Sequence, residues 1–157
     1  NNLGMLYYNQ GKYDKAEPLL QRSLAIREKA LDSDHPDVAQ SLNNLAVIYY
    51  DQGQYTQAEP LIKRALKIRE KAFGPHHPDV AESLNNLSSI YYNQKRYTQA
   101  ETLLERSLAI DKRAFGSDHP SIARSLLNLV AIYRATNRVS EAEELERQAA
   151  SIQATKR

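Results

Sequence analysis

The side chains that could do chemistry in this chain recur at a fixed spacing. Asparagines stand at Asn2, Asn44, Asn86 and Asn128, and a second set lies one residue earlier at Asn1, Asn43 and Asn85. The ten tyrosines occupy three such sets: Tyr7, Tyr49, Tyr91 and Tyr133; Tyr8, Tyr50 and Tyr92; Tyr13, Tyr55 and Tyr97. A primary amide is donor and acceptor at once. A row of them can therefore bond the C=O and N–H groups of an extended peptide whatever its side chains. Candidates for bond-making chemistry are weak. There is no glycine-rich phosphate loop, no HExxH and no nucleophile elbow. The Glu59-type glutamates read as scattered along a charged surface, with no isolated acid pair. His76-His77 lacks the third ligand a zinc site would need. His35, His77 and His119 each precede a proline, which points to loop and capping roles. No catalytic residue, metal or cofactor is expected.

The spacing itself is the next observation. The phrases that begin Asn1-Asn2-Leu3, Asn43-Asn44-Leu45, Asn85-Asn86-Leu87 and Leu127-Asn128-Leu129 start 42 residues apart. Ala16-Glu17, Ala58-Glu59, Ala100-Glu101 and Ala142-Glu143 keep that period, as do the three His-Pro pairs. A fixed period of this size marks a repeat array. In the second copy Val38, Leu42, Leu45 and Tyr49 step by four, three and four, which is one face of a helix. Pro36 suits its first turn, where a missing N–H costs nothing. Gly53 suits a left-handed end. Tyr55, Ala58, Ile62 and Ala65 mark a second helix that runs to about Ala72, before Gly74-Pro75. Each copy is thus an A helix, a short turn and a B helix. The B helices are expected near Tyr13, Tyr55, Tyr97 and Val139, and the A helices at a shortened start near Asn1 and at Pro36, Pro78 and Pro120. If the turn residues Gly11, Gly53, Lys95 and Asn137 share a left-handed conformation, Lys95 is strained.

Composition agrees. Of 157 residues, 41% are hydrophobic, and the mean hydropathy of −0.64 is polar for a compact domain. That suits a solenoid whose units touch only their neighbours. A net charge of +2 comes from 21 basic and 19 acidic residues. Their signs are interspersed, so neither a nucleic-acid footprint nor a membrane patch is marked. No cysteine is present, which excludes disulfides and is compatible with a reducing compartment; a cytoplasmic location is the expectation. No apolar run approaches the ~20 residues of a membrane span. The opening in mid-phrase at Asn1 reads as a fragment of a longer protein.

Leu45, Ala46, Tyr49, Tyr55, Ala58 and Ala65-Leu66 fall where tetratricopeptide repeats place their packing residues, and Gly4 stands at the motif's glycine, replaced elsewhere by Ala46, Ser88 and Val130. The chain resembles that family over essentially its whole length. With a period of 42 instead of 34 and an inserted Gly-x-x-His-Pro-Asp-type loop, it is similar to the repeats of kinesin light chains. The resemblance implies an all-α fold, a right-handed superhelical solenoid of eight helices. One array over residues 1–157 would comprise repeats at about 1–35, 36–77, 78–119 and 120–157.

In such arrays the A helices line a concave groove. At 100° per residue Gln40, Asn43, Asn44, Val47, Tyr50 and Asp51 point away from Leu42, Leu45 and Tyr49. Charge lies on the B helices instead: 36–52 carries only Asp37 and Asp51, whereas 55–72 carries Glu59, Lys63, Arg64, Lys67, Arg69, Glu70 and Lys71. The resemblance therefore implies a peptide-binding groove of Asn2, Asn43, Asn44, Val47, Tyr50, Asn85, Asn86, Ser89, Tyr92 and Asn128. In the fourth copy Leu127 replaces an asparagine and Arg134 a tyrosine. The expected function is an interaction module that binds a peptide or protein segment as a scaffold within a larger protein. The alternative is a structural spacer, or an array that self-associates end to end.

Overall fold

The computed structural model describes residues 1–154. Those residues form eight α-helices and no strand: α1 (Asn2–Asn9), α2 (Tyr13–Ala30), α3 (Pro36–Asp51), α4 (Tyr55–Phe73), α5 (Pro78–Asn93), α6 (Tyr97–Phe115), α7 (Pro120–Ala135) and α8 (Val139–Ala154). The three prolines that open α3, α5 and α7 occupy the first turn, where their missing N–H leaves no bond unmade. Each is preceded by a histidine that caps the helix. The Nδ1 atoms of His35, His77 and His119 accept from the backbone N–H of Asp37, Asp79 and Ser121 at 3.1, 3.2 and 3.3 Å. The expected capping role of these residues is what the structure shows.

Packing divides the chain into two compact units, residues 1–75 and the residues from 76 onward. In the first, α1 pairs with α2, α2 with α3, and α3 with α4; in the second, α5 pairs with α6, α6 with α7, and α7 with α8. The consecutive helices touch through small side chains. Ala16, Ala58, Ala100 and Ala142 are all fully buried. Gly4 allows a close approach: a Cβ there would stand 2.7 Å from Leu20 Cδ2. The seam tyrosines Tyr49 and Tyr91 are buried, and Tyr7 and Tyr133 are half-buried.

Successive hairpins are also pinned by polar contacts that charge patterning alone placed on an open surface. Glu17 of α2 accepts from the Tyr49 hydroxyl at 3.2 Å, and Gln21 Nε2 donates to the same hydroxyl at 3.0 Å. In the second unit Tyr133 hydrogen-bonds Glu101, which also pairs with Arg138 at 2.6 Å. Burial and this carboxylate push the Tyr133 phenol up. These glutamates therefore belong to the hairpin interfaces. Arg69, read as part of the charged B-helix surface, is only 2% exposed, and its Nη2 donates to Gln40 Oε1 at 3.0 Å.

The hairpin turns carry two deviations with energetic consequences. Lys95 and Asn137 have φ of 61°, beside 70° and 74° at the corresponding Gly11 and Gly53. A side chain at positive φ crowds the backbone, and asparagine tolerates this better than lysine. The second deviation is Gln54. Its equivalents Lys12, Arg96 and Arg138 hold their cations 6.0, 3.8 and 3.7 Å from the ring centres of Tyr7, Tyr91 and Tyr133. Lys12 and Arg96 also donate to Gln10 and Gln94 Oε1. Gln54 has the same backbone as Arg96, with φ and ψ of −88° and 58° against −88° and 59°. It supplies no cation over Tyr49, and the buried Gln52 Oε1 accepts no hydrogen bond.

Two stabilising substitutions follow, both read from urea unfolding midpoints. Lys95→Gly is expected to add about 0.5–1 kcal/mol by relieving the left-handed lysine. Gln54→Arg is expected to add about 1–2 kcal/mol, combining a cation over Tyr49 with a donor for Gln52. A fall in stability in either variant would remove the corresponding account.

Candidate functional site

The two asparagine columns differ by one residue in sequence and by about 100° around the helix. That rotation separates them into different environments. Asn43 and Asn85 are each 3% exposed. The expectation that they stand on the open face does not hold: they point into the helix packing. Asn85 is the centre of a buried network joining α5, α6 and α7. Its amide nitrogen donates to Ala81 O at 3.3 Å, to Ser125 Oγ at 3.1 Å and to Ser107 Oγ. Its oxygen accepts from Ser125 Oγ at 3.3 Å and from Asn128 Nδ2 at 3.4 Å. Ser107 in turn donates to Ala81 O at 2.9 Å. Both ends of this amide are engaged inside the fold.

Asn44, Asn86 and Asn128 are half-buried, and Asn2 is exposed. They stand at the solvent edge, and two of them are tethered to the inner set. Asn44 Nδ2 donates to Asn1 Oδ1 at 3.4 Å, just as Asn128 does to Asn85. Asn44 Oδ1 accepts from Gln40 Nε2 at 2.9 Å. Gln40, outside the expected groove set, thus orients Asn44 while its own oxygen accepts from Arg69. Asn44 and Asn128 are thus held by their neighbours at the half-exposed edge.

The other expected residues flank this column. Val47 and Ser89 occupy equivalent half-buried positions on α3 and α5, and Ser89 Oγ donates to Asn85 O at 3.2 Å. Tyr50 and Tyr92 are half-buried, their rings 5.6 and 5.7 Å from those of Tyr55 and Tyr97 across the hairpin turn. Tyr8 is their counterpart on α1. Its hydroxyl donates to Asp51 at 2.7 Å, and burial together with that carboxylate pushes its pKa up to about 12. This tyrosine column is therefore wall and packing at once. Arg134, which replaces the tyrosine in the fourth copy, pairs with Glu146 at 2.7 Å.

Among the described residues no group of three His, Cys, Asp or Glu could hold a metal ion, and no helix is long and apolar enough to cross a membrane. The arrangement offers oriented amides, half-buried rings and small side chains, which is the chemistry of recognition.

The profile of the tetratricopeptide repeat matches residues 1–71, 37–94 and 79–154. The chain belongs to the tetratricopeptide repeat family. Among solved structures it is similar to BtubC (BKLC) from P. vanneervenii, with 30% identity and a TM-score of 0.88, covering 98% of this chain and 61% of that one. A Podosopora anserina kinesin light chain protein with nearly identical TPR-like repeats matches with 33% identity and a TM-score of 0.85, covering 98% and 73%. The apo form of RapI, at 19% identity and a TM-score of 0.78, shares the fold. Nephrocystin-3 from Xenopus laevis is 56% identical over 41 residues, 26% of this chain and 3% of that protein. The chain thus spans a small part of its curated relatives and under two thirds of the first of these structures. The tetratricopeptide fold and its kinship to kinesin light chain repeats are as the packing residues implied, and this is a fold of protein–protein interaction scaffolds.

The division between the columns has a thermodynamic consequence. Asn85→Ala is expected to destabilise this tetratricopeptide chain by about 2–4 kcal/mol, because it strands the buried Ser125 hydroxyl and takes away the donor to Ser107 Oγ. Asn44→Ala, at the solvent edge, is expected to cost under about 1 kcal/mol. Urea denaturation of both variants checks this; equal losses would contradict the separation of roles.

Proposed function

We propose that this chain is a non-enzymatic interaction module, the part of a larger cytoplasmic protein that holds an extended peptide or protein segment against the asparagine-lined faces of its A helices. The observation that carries this reading is the outer asparagine column. Asn44 and Asn128 are oriented by their neighbours yet remain at the solvent edge, where Asn86 is half-buried at the equivalent position. Pre-oriented amides lose little freedom on binding, and this favours affinity. Asn2, Val47, Tyr50, Ser89 and Tyr92 flank them, and the buried Asn85 supports Asn128 from within. Charge on the A helices is sparse, so the ligand's backbone is what this face reads. Nucleic acid and membrane are not the partners of such a surface. A structural spacer would leave the same amides solvated and bind no peptide.

The test begins with a linear dodecapeptide phage library selected on the immobilised chain. A recovered peptide is then titrated calorimetrically. Asn44→Ala with Asn86→Ala is expected to weaken it by about 1–3 kcal/mol, at one net hydrogen bond or slightly more per site. Lys63→Ala with Lys67→Ala, both exposed on α4, is expected to leave affinity nearly unchanged. If the lysine pair matters and the asparagine pair does not, the ligand docks on the B helices and the proposal fails.

A further inference from the structure

The turn between α3 and α4 keeps the groups that hold a cation in the third and fourth repeats, without the cation. In the third repeat the Arg96 guanidinium lies 3.8 Å from the centre of the Tyr91 ring. Its Nη1 donates to Gln94 Oε1 at 2.9 Å and its Nε to Gln99 Oε1 at 2.7 Å. In the fourth repeat Arg138 lies 3.7 Å from the Tyr133 ring centre, and its Nη1 donates to Glu101 at 2.6 Å.

The second repeat holds the acceptors of both arrangements. Tyr49 stands at the place of Tyr91 and Tyr133, Gln52 and Gln57 at those of Gln94 and Gln99, and Glu17 at that of Glu101. The position from which the arginines reach in is Gln54, which is exposed. The other groups are already fixed. The Tyr49 hydroxyl donates to Glu17 at 3.2 Å and accepts from Gln21 Nε2 at 3.0 Å, and Gln21 Nε2 also lies 3.0 Å from the Glu17 carboxylate. Both of these donors to Glu17 are neutral, where Glu101 has a guanidinium. Among the described residues the buried Gln52 Oε1 finds no donor. A buried acceptor left without a donor carries a desolvation penalty that an incoming N–H relieves.

We propose that this niche binds an arginine side chain of a partner protein, at a site independent of the asparagine-lined faces. A guanidinium is planar. It stacks on the Tyr49 ring and donates in its own plane to Gln52 Oε1 and Glu17 at once. One anion, one ring and one neutral acceptor suit a single positive charge. An ammonium meets such a ring less closely: Lys12, at the same position in the first repeat, lies 6.0 Å from the Tyr7 centre. Gln54 is the side chain that the guanidinium displaces, and it brings no charge of its own.

The probe is N-acetyl-arginine N-methylamide, titrated into the chain and followed by nuclear magnetic resonance at the Gln52 side-chain amide and the Tyr49 ring. Saturable shifts at both are expected in the millimolar range. The citrulline counterpart, equal in shape and uncharged, should bind at least about tenfold more weakly, because charged donors make the stronger bonds. Gln54→Arg puts the chain's own guanidinium in the niche and should abolish the shifts. That variant is expected to be the more stable one, so unfolding cannot account for the loss. Glu17→Gln should weaken binding several-fold, with the circular dichroism spectrum unchanged. The proposal is overturned by shifts that rise linearly through the millimolar range, by equal binding of the citrulline probe, or by undiminished binding to either variant chain.

Discussion

The structure depends on a contact between backbones. Where each B helix begins, an alanine with no exposed surface meets the A helix before it: Ala16, Ala58, Ala100 and Ala142. Larger side chains there would hold the helices farther apart and leave room for the A helix to rotate. Close packing fixes the rotation instead, and the rotation decides which of two adjacent asparagines is structural. Asn85 turns inward, where only a fully bonded amide can be buried without penalty. Asn86 turns to the edge. Had the helix settled half a residue differently, neither would be cleanly placed. The functional reading of the outer column therefore rests on the tightness of the alanine contact.

The polar contacts between hairpins add direction to this packing. A tyrosine on an A helix meets a glutamate of the B helix before it, as in Tyr49 with Glu17 and Tyr133 with Glu101. Apolar stripes alone would tolerate slippage along the helix axis, whereas a hydroxyl–carboxylate bond is met at one register. The fourth repeat then departs from the pattern in a coherent way. Glu146 stands where Leu20, Ile62 and Leu104 are buried, and Arg134 stands where Tyr50 and Tyr92 pack. The two exceptions pair with each other.

Much of this was legible in the sequence. The His-Pro pairs located the starts of three A helices and their caps, and the turn register placed Lys95 at a positive φ. Helix pairing followed from the four-three-four steps of apolar residues, since a 3.6-residue period admits no other regular element. What was not legible was the inward turn of Asn43 and Asn85. Periodicity sorts residues by polarity, so a buried amide is assigned to the wrong face whenever its partners lie on other helices. A signal did exist. Ser41, Ser83 and Ser125 recur at the same period and are all fully buried, and serines inside an apolar stripe need polar company. Arg69 misled for a related reason: its charge suggested solvent, but the Gln40 that receives it is distant in sequence and carries no charge.

The central claim is that neighbouring asparagines have divided labour, one inside the fold and one facing the ligand. The most direct measurement is the response of the asparagine side-chain amide resonances to a bound peptide selected from a linear library. The account predicts that the signals of Asn44, Asn86 and Asn128 shift on binding. It also predicts that those of Asn43 and Asn85 stay in place and exchange slowly with solvent in both states. Fast exchange at Asn85 in the free chain, or shifts confined to the B helices on binding, would contradict it.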